Sequence, residues 1–596
     1  MPLCKNSPQR TCLLVQRTAG STQPPRLIRD RSQNHTSRMA TIARIPTVEP
    51  VCGTRRPEPT YPFPMPAEPA TITAPPPQDM RRAALQLALT FAFIKFAIHL
   101  VTNLLQPHLG WGYFRDELYY IACGHHLGFG YVDHGPIIAL QARLAQILFG
   151  NSLAGIRMLS AVAGAGKVFL TGLLCWRLGG NRWAQSLAML AVLLAPQYLG
   201  TDGYLSMNSF EGVFWMTCVY ALIALVQGGN PRWWLIFGLS AGIGLENKPS
   251  MTFFLLTLLL ALIVTRQRRL LFAREYVGSA ALGVTLLIAL AAPNIIWQIH
   301  NHWPTLEFLH NGVVQHKNIA LPLPQFISQQ ILQFNPIGSI LWITGVLWLL
   351  IARAAKPWRW IGLTYLFFFV LMFILHAKDY YLAPIYPVLC AAGAVAFFAP
   401  RLARPWWQSA YALVLVITGL LLLPAAIPVM RPEIQLAYLL RMHLQGRPLE
   451  KWKQGPFPQF FTDRFGWQEM ADQTTAAYNS LSPADRARAG IFAGNYGEAG
   501  AISLLAPRPA DGSKLPTVVS GQNSYFLWGP NNYSGDVMIV VVSAPIDDIQ
   551  QYYGDVKLFA HVGNPWSMPF EHVNVYIVRH RKFNFAQAWP EMKDYI

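Results

Sequence analysis

From Leu85 to about residue 429 the chain alternates apolar runs of roughly 15 to 24 residues with short polar interruptions. At about 1.5 Å of rise per helical residue, such runs match the hydrocarbon core of a bilayer. The pattern predicts about eleven transmembrane helices, near 83–105, 153–176, 183–200, 208–226, 233–246, 250–265, 276–297, 337–352, 359–376, 381–398 and 408–429. The short runs 233–246 and 250–265 are read either as two spans or as one re-entrant hairpin. Two segments between runs are long, 106–152 and 298–336, and carry enough aromatic and apolar residues to be expected as structured. Beyond the last run, residues 445–596 are polar, with the strand-like runs MIVVV at 538–542 and VNVYIV at 573–578. Between them IDDIQQYYGDV reads as helical, with Pro545 near its start. The expected fold class is an all-α polytopic membrane protein spanning residues 80–430, with a small C-terminal α/β domain over 445–596. Residues 1–79, rich in Pro, Ser, Thr and Arg and ending in APPPQD, read as disordered. They are either a cytoplasmic tail or a stretch upstream of a true start at Met39, Met65 or Met80.

Composition narrows the class. Of 596 residues 53% are apolar and 13% charged, against about 25% charged in a soluble domain, which excludes a soluble enzyme. A net charge of +18 in a soluble protein would suggest nucleic acid, but here the bases are sorted along the chain. Alternate loops carry Arg177 and Arg182; Arg232; Arg266, Arg268, Arg269 and Arg274; Arg353, Lys356 and Arg359; Arg401 and Arg404. By the positive-inside rule these loops are cytoplasmic. The opposite loops hold few bases, Arg115, Arg143, Lys248, Lys317 and Lys378, but several acids, Asp116, Glu117, Asp133, Asp202, Glu211, Glu246, Glu307 and Asp379. The N-terminus is therefore expected inside and the C-terminal domain outside. The seven cysteines are odd in number and lack CxxC spacing, so neither a disulfide framework nor a Cys-ligated zinc follows.

The richest cluster opens the first outer segment, WGYFRDELYYIACGHHLGFGYVDHGP at 111–136. Arg115, Asp116 and Glu117 lie just beyond a membrane helix, and Asp133 and His134 follow one loop later. Carboxylates at a membrane surface are costly unless they bind something; the alternative is a solvated loop with an aromatic belt. YLSMNSFEGVFW (204–215) brings Glu211 to the same side, where it is either functional or a helix N-terminal acid stabilised by the dipole. LENKPS (245–250) adds Lys248, and HAKDYYLAPIYP (376–387) adds Lys378, Tyr380 and Tyr381. Two lysines converging on an acidic outer cleft suit a phosphate-bearing ligand. Lys167, within AGAGKV, lacks the first glycine and the Ser/Thr of a P-loop, which dismisses nucleotide binding. The outer histidines have no HExxH spacing.

The ordered set of RDELYYIACGHHLGFGYVDHGP, SMNSFEGVFW, Lys248 and KDYYLAPIYP resembles the integral-membrane glycosyltransferases of the GT-C fold. That group includes the protein O-mannosyltransferases and lipid A aminoarabinose transferase. The likeness covers roughly residues 80–400, and NYGEAGAISLL (495–505) with SGQNSYFLWGP (520–530) resembles the outer domain of bacterial family 39 members. Gly135 stands where relatives usually carry proline, and Gly212 where proline often follows the acid. The resemblance implies transfer of a sugar from a polyprenyl-phosphate donor to an acceptor hydroxyl or phosphate on an envelope glycan, lipid or protein. The reaction would take place at the outer face of a bacterial inner membrane. Asp116 is implied as the base, with Glu117 and Glu211 as companion catalytic acids. Lys248, Lys378, Arg115 and His134 are the candidate donor-phosphate ligands, and Tyr119, Asp133, Tyr380 and Tyr381 the candidate substrate contacts. The sequence establishes no cofactor and leaves metal dependence open, since Asp116 and Glu211 could share Mg²⁺ or Mn²⁺. The rival reading is a transporter or flippase of a lipid-linked or anionic substrate, which would need inverted repeats and polar groups at mid-depth; Lys167 is the one such group expected.

Overall fold

The computed structural model describes residues 78–398, 405–448 and 450–596. The expected N-terminal tail, apart from its last two residues, and the bases Arg401 and Arg404 lie outside them. All eleven predicted spans are helical. The first nine helices are α1 (Gln78–Leu105), α2 (Arg115–His125), α3 (Pro136–Phe149), α4 (Leu153–Arg177), α5 (Arg182–Leu193), α6 (Pro196–Thr201), α7 (Met207–Val226), α8 (Trp233–Asn247) and α9 (Ser250–Ile263). The membrane part continues through Arg274–His300, Pro304–Val314, Leu323–Phe334, Pro336–Ile351, Arg359–Ile374, Tyr386–Phe397 and Pro405–Ala426.

Seven of the helices among the described residues are long and apolar enough to cross a membrane, and up to nine if two bent pairs each count as one span. The count of eleven is reduced because α5, with 12 residues, and α8, with 15, reach about 18 and 22 Å at 1.5 Å per residue, short of a full crossing. One bent pair joins Leu323–Phe334 to Pro336–Ile351 at 113°. Asn335 makes that corner at φ 110°, and its side-chain oxygen accepts the N–H groups of Ile337 and Gly338, capping the helix that Pro336 begins.

Small residues let helix backbones touch. A Cβ on Gly345 would lie 2.0 Å from the Leu389 carbonyl, and one on Gly393 would lie 1.9 Å from that of Leu341. Helices Pro336–Ile351 and Tyr386–Phe397 therefore cross at van der Waals contact, the mode by which helices associate where lipid offers no hydrophobic drive. Inside the bundle Trp215 stacks on Phe254 at 4.1 Å. Lys95 on α1 and Lys167 on α4 both reach Asp202, at the end of α6, Lys95 at 3.5 Å. Mid-bundle charge is thus a three-residue buried cluster, where the sequence pointed to Lys167 alone.

The tail folds as a five-stranded mixed sheet with β1 (Ala489–Ala493), β2 (Val518–Val519), β3 (Val537–Val542), β4 (Tyr553–Val562) and β5 (Val573–Arg581) in the order β2-β1-β3-β5-β4. The two strands expected from sequence are β3 and β5. The helix expected between them stops after Ile546–Gln550; from Tyr553 the chain is strand, because Val556 and Leu558 pair antiparallel with Val578 and Tyr576 of β5. The tail does not stand apart from the bundle. Leu118, Ile138 and Ile156 share one buried apolar cluster with Trp467, Ala499 and Ile539, so the first outer segment is the floor of the tail's core.

Candidate active site

The site is built on α2. Its first turn carries Asp116 and Glu117, acids favoured at a helix N-terminus, and these neighbours have opposite environments. Glu117 is completely buried. It accepts from Phe114 N–H and Leu205 N–H, each at 2.8 Å, and from Arg157 Nε and Nη2 at 2.8 and 2.7 Å. Burial alone would push its carboxyl up, but the Arg157 guanidinium and these hydrogen bonds hold it below the ordinary range. Arg157 also reaches Gln106, which accepts from Arg464 as well, so the network ties α1, α2 and α4 to the segment after the last span. Glu117, expected from sequence as a catalytic acid, thus has each oxygen engaged by two donors and clamps this corner of the fold.

Asp116 is half-buried, and one carboxylate oxygen accepts from the Tyr496 phenol of the tail at 3.0 Å. Burial raises its pKa, and the nearby Arg115 opposes the rise. Lys317 and Asp133 are within electrostatic reach of it, as it is of Lys378. Arg115 lies 4.5 Å over the Tyr496 ring, with Nε 3.3 Å from Glu571. Lys378 donates to Glu450 at 2.7 Å. Burial works against the Glu450 carboxylate, but Lys378 and Lys317 outweigh it and hold its pKa at about 2. Burial lowers the pKa of Lys317. The post-span segment is strapped over this rim, since Arg447 pairs with Asp379 and Glu450 bridges to Asn318.

A second group lies toward the bundle. Glu211, buried on α7, pairs with Lys248 at 2.9 Å and accepts from the Ser250 hydroxyl. Lys248 donates to Asn208 at 2.7 Å and faces the Tyr381 ring at 4.4 Å and the Tyr380 ring at 5.5 Å. Tyr380 is within electrostatic reach of both Glu211 and Glu450 and so stands between the two groups. A narrow gap of about 10 Å³, lined by Glu211, Asn208, Tyr380 and Lys167, lies beside this group.

Two expected ligands are not available. His134 is buried, its Nδ1 2.8 Å from the Gly135 carbonyl and its ring packed against those of Tyr119, Tyr120 and Tyr131. Tyr119 is buried too, its hydroxyl 2.8 Å from Asp133 and 2.7 Å from Ser524, so it braces the tail rather than touching substrate. The two glycine departures mark close approaches: a Cβ at Gly135 would meet the Glu246 carbonyl at 2.1 Å, and one at Gly212 the Lys167 stem at 2.9 Å. A divalent ion shared by Asp116 and Glu211 does not fit the donor set. Glu211 is neutralised by Lys248, and among the described residues no group of three or more His, Cys, Asp or Glu could hold an ion.

Sequence reasoning missed Tyr496, Glu450 and Glu571, which are brought in from the tail, and left Lys317 without a role. Lys317 is the single Lys or Arg of segment 298–336, a signal that could have singled it out. The N-Y-G-E-A-G run carried the signal for Tyr496. Asn495 caps the Tyr496–Leu505 helix, Glu498 closes the capping box, and a Cβ on Gly500 would lie 2.9 Å from the Leu118 carbonyl.

A bundle of membrane-length helices, a juxtamembrane helix headed by acids and an α/β tail docked on it make up the fold, the architecture expected from the motifs that resemble the GT-C class. Crystal structures of ArnT from Cupriavidus metallidurans share it. The apo form matches with a TM-score of 0.52 at 14% identity over 83% of this chain and 98% of that one. The form bound to undecaprenyl phosphate has the same score and covers 84% of this chain. Residues 133–297 match the family described as dolichyl-phosphate-mannose-protein mannosyltransferase. An undecaprenyl phosphate-alpha-4-amino-4-deoxy-L-arabinose arabinosyl transferase of Pseudomonas aeruginosa strain UCBPP-PA14 is 29% identical over 187 residues, 30% of this chain and 32% of that protein. Such a transferase of Pseudomonas fluorescens strain Pf0-1 is 23% identical over 188 residues, 31% of this chain and 32% of that protein. The chain matches about a third of the length of these curated relatives.

Proposed function

We propose that this protein is a membrane glycosyltransferase that moves a sugar from a polyprenyl-phosphate donor to an acceptor hydroxyl or phosphate at the outer face of the membrane. The bases of the alternate loops face the cytoplasm and the tail lies outside, in the periplasm of a bacterial cell. The observation that carries the reading is Asp116: a half-buried carboxylate with proton-accepting capacity left, among Arg115, Lys317 and Lys378. An acceptor hydroxyl is far too weak an acid to react unaided, so Asp116 takes its proton as the bond to the anomeric carbon forms. Lys378 and Lys317 stabilise charge developing on the departing lipid phosphate, and the raised pKa of Asp116 makes it a stronger base. Lys248 and Glu211 form a neutral pair beneath the donor, with Tyr380 and Tyr381 against the sugar. One carboxylate base implies direct displacement with inversion. With Glu211 paired to Lys248 rather than free to share an ion with Asp116, a chelator is expected to leave the rate unchanged, and a loss of rate on chelation would assign a divalent ion to the site.

The reading is tested by reconstituting the full chain with undecaprenyl-phosphate-linked sugars and an envelope acceptor extract. Asp116→Asn should abolish transfer, a loss on the order of 10²–10⁴-fold, while the protein still inserts and melts as wild type. Full activity in that variant overturns the proposal. Movement of unaltered lipid-linked sugar across vesicles, without transfer, would favour the transporter reading instead.

A further inference from the structure

The tail meets the first-loop helix through three residues of α2 in one stretch. Arg115 pairs with Glu571, Asp116 accepts from Tyr496, and Tyr119 shares hydrogen bonds with Ser524. The docking is shaped for this. A Cβ on Gly497 would sit 2.7 Å from the Arg115 stem, and one on Gly500 would press on the backbone at Leu118. Both glycines follow Tyr496 on the helix that Asn495 and Glu498 cap. The Tyr496 ring packs against the Arg115 guanidinium at 4.5 Å and the Tyr119 ring at 4.7 Å, and its hydroxyl donates to Asp116 at 3.0 Å.

We propose that the tail supplies a positioning residue for the transfer reaction: Tyr496 holds the Asp116 carboxylate in the orientation from which it takes the acceptor's proton. The inference rests on Asp116 acting as the base. Burial keeps the phenol far above its ordinary pKa, so it stays a hydrogen-bond donor at every working pH. By donating to the charged carboxylate it also restrains how far burial raises that group. The charged groups within reach of Asp116 are Arg115, Asp133, Lys317, Lys378 and Asp463, with Tyr120 and Tyr204 as neutral neighbours. Of the tyrosines, Tyr496 is the one hydrogen-bonded to the carboxylate.

The experiment compares Tyr496→Phe with wild type and with Asp116→Asn in the reconstituted full-length protein. Phenylalanine keeps the ring against Arg115 and Tyr119 and removes the hydroxyl alone. Expected are a fall in kcat of about tenfold or more, the value of a hydrogen bond to a charged group, and an acidic limb of the rate–pH profile displaced to higher pH. The donor KM should stay within about twofold of wild type, as uniform binding is not touched, with an unchanged melting temperature. If Asp116→Asn is inactive and Tyr496→Phe keeps the wild-type kcat and pH profile, the positioning role fails and the base reading stands. A changed KM with unchanged kcat also overturns it, because Tyr496 would then be a binding contact. Activity in Asp116→Asn removes both readings together.

Discussion

Asp116 and Glu117 are consecutive residues on one helix, yet they open onto two regions that treat charge in opposite ways. On the Glu117 side, Arg157, Gln106, Arg464 and two backbone N–H groups satisfy the carboxylate completely. On the Asp116 side, one phenol meets the carboxylate and three cations stand around it, with Lys378 already engaged by Glu450. A charge saturated by fixed partners serves stability, since removing one partner strands the other in a low-dielectric setting. A carboxylate left with capacity, with Arg115, Lys317 and Lys378 within reach, is arranged as a proton acceptor beside a ligand that brings negative charge.

The contrast can be broken by mutation. The largest effect is expected from Asp116→Asn on transfer and from Glu117→Gln on folding. The second leaves Arg157 short of its counter-charge and should destabilise the protein by about 3–5 kcal/mol, seen as a lower melting temperature and poor recovery of folded protein. A Glu117→Gln protein that melts as wild type would erase the distinction between the two sides. Next, Lys378→Met should raise the donor KM by roughly tenfold, one charge-assisted phosphate contact, and lower the melting temperature by less than Glu117→Gln does, because the Lys378–Glu450 pair keeps some exposure where the Arg157–Glu117 pair has none.

The smallest effects concern pH, and their sign separates Asp116 from the paired glutamates Glu117 and Glu450. Glu117 and Glu450 have lowered folded pKa values. Their stabilisation is complete above the ordinary glutamate value of about 4.5 and is lost as pH falls through the folded one, which for Glu450 is about 2. Glu450→Gln should therefore flatten the melting-temperature profile between about pH 4.5 and 2. Asp116 has a raised value, so its contribution is present below the ordinary aspartate range and fades as pH climbs through the raised one. Asp116→Asn should then melt no lower than wild type at neutral pH; a drop there as large as that of Glu117→Gln would contradict the sign.

Much of the frame was legible. Long apolar runs announce helices because backbone groups in lipid must pair within their own segment, and every predicted span is helical. The crossing count was less secure, because α5 and α8 look like spans by hydropathy but are too short to cross alone. The sheet was half visible: β3 reads as a buried apolar run, whereas β4, with Asp555 and Lys557 among its exposed positions, is a strand only by pairing with β5. Among site residues, Asp116, Arg115, Lys378 and the Glu211–Lys248 pair lie where their motifs pointed. His134 and Tyr119 belong to packing, and nothing in YVDHGP distinguishes a histidine facing a phosphate from one buried against tyrosines.

The sequence by itself determined the solvent of this protein, its helical body and the motif that carries its acids, because these follow from hydrophobic periodicity and from the cost of charge near a membrane. Which of two adjacent carboxylates is left with capacity to react was decided by the tertiary structure alone. It brings Arg157 from 40 residues away to Glu117 and Tyr496 from 380 residues away to Asp116. Hydrogen-bond saturation is a property of neighbours in space, and no local pattern in RDEL contains it.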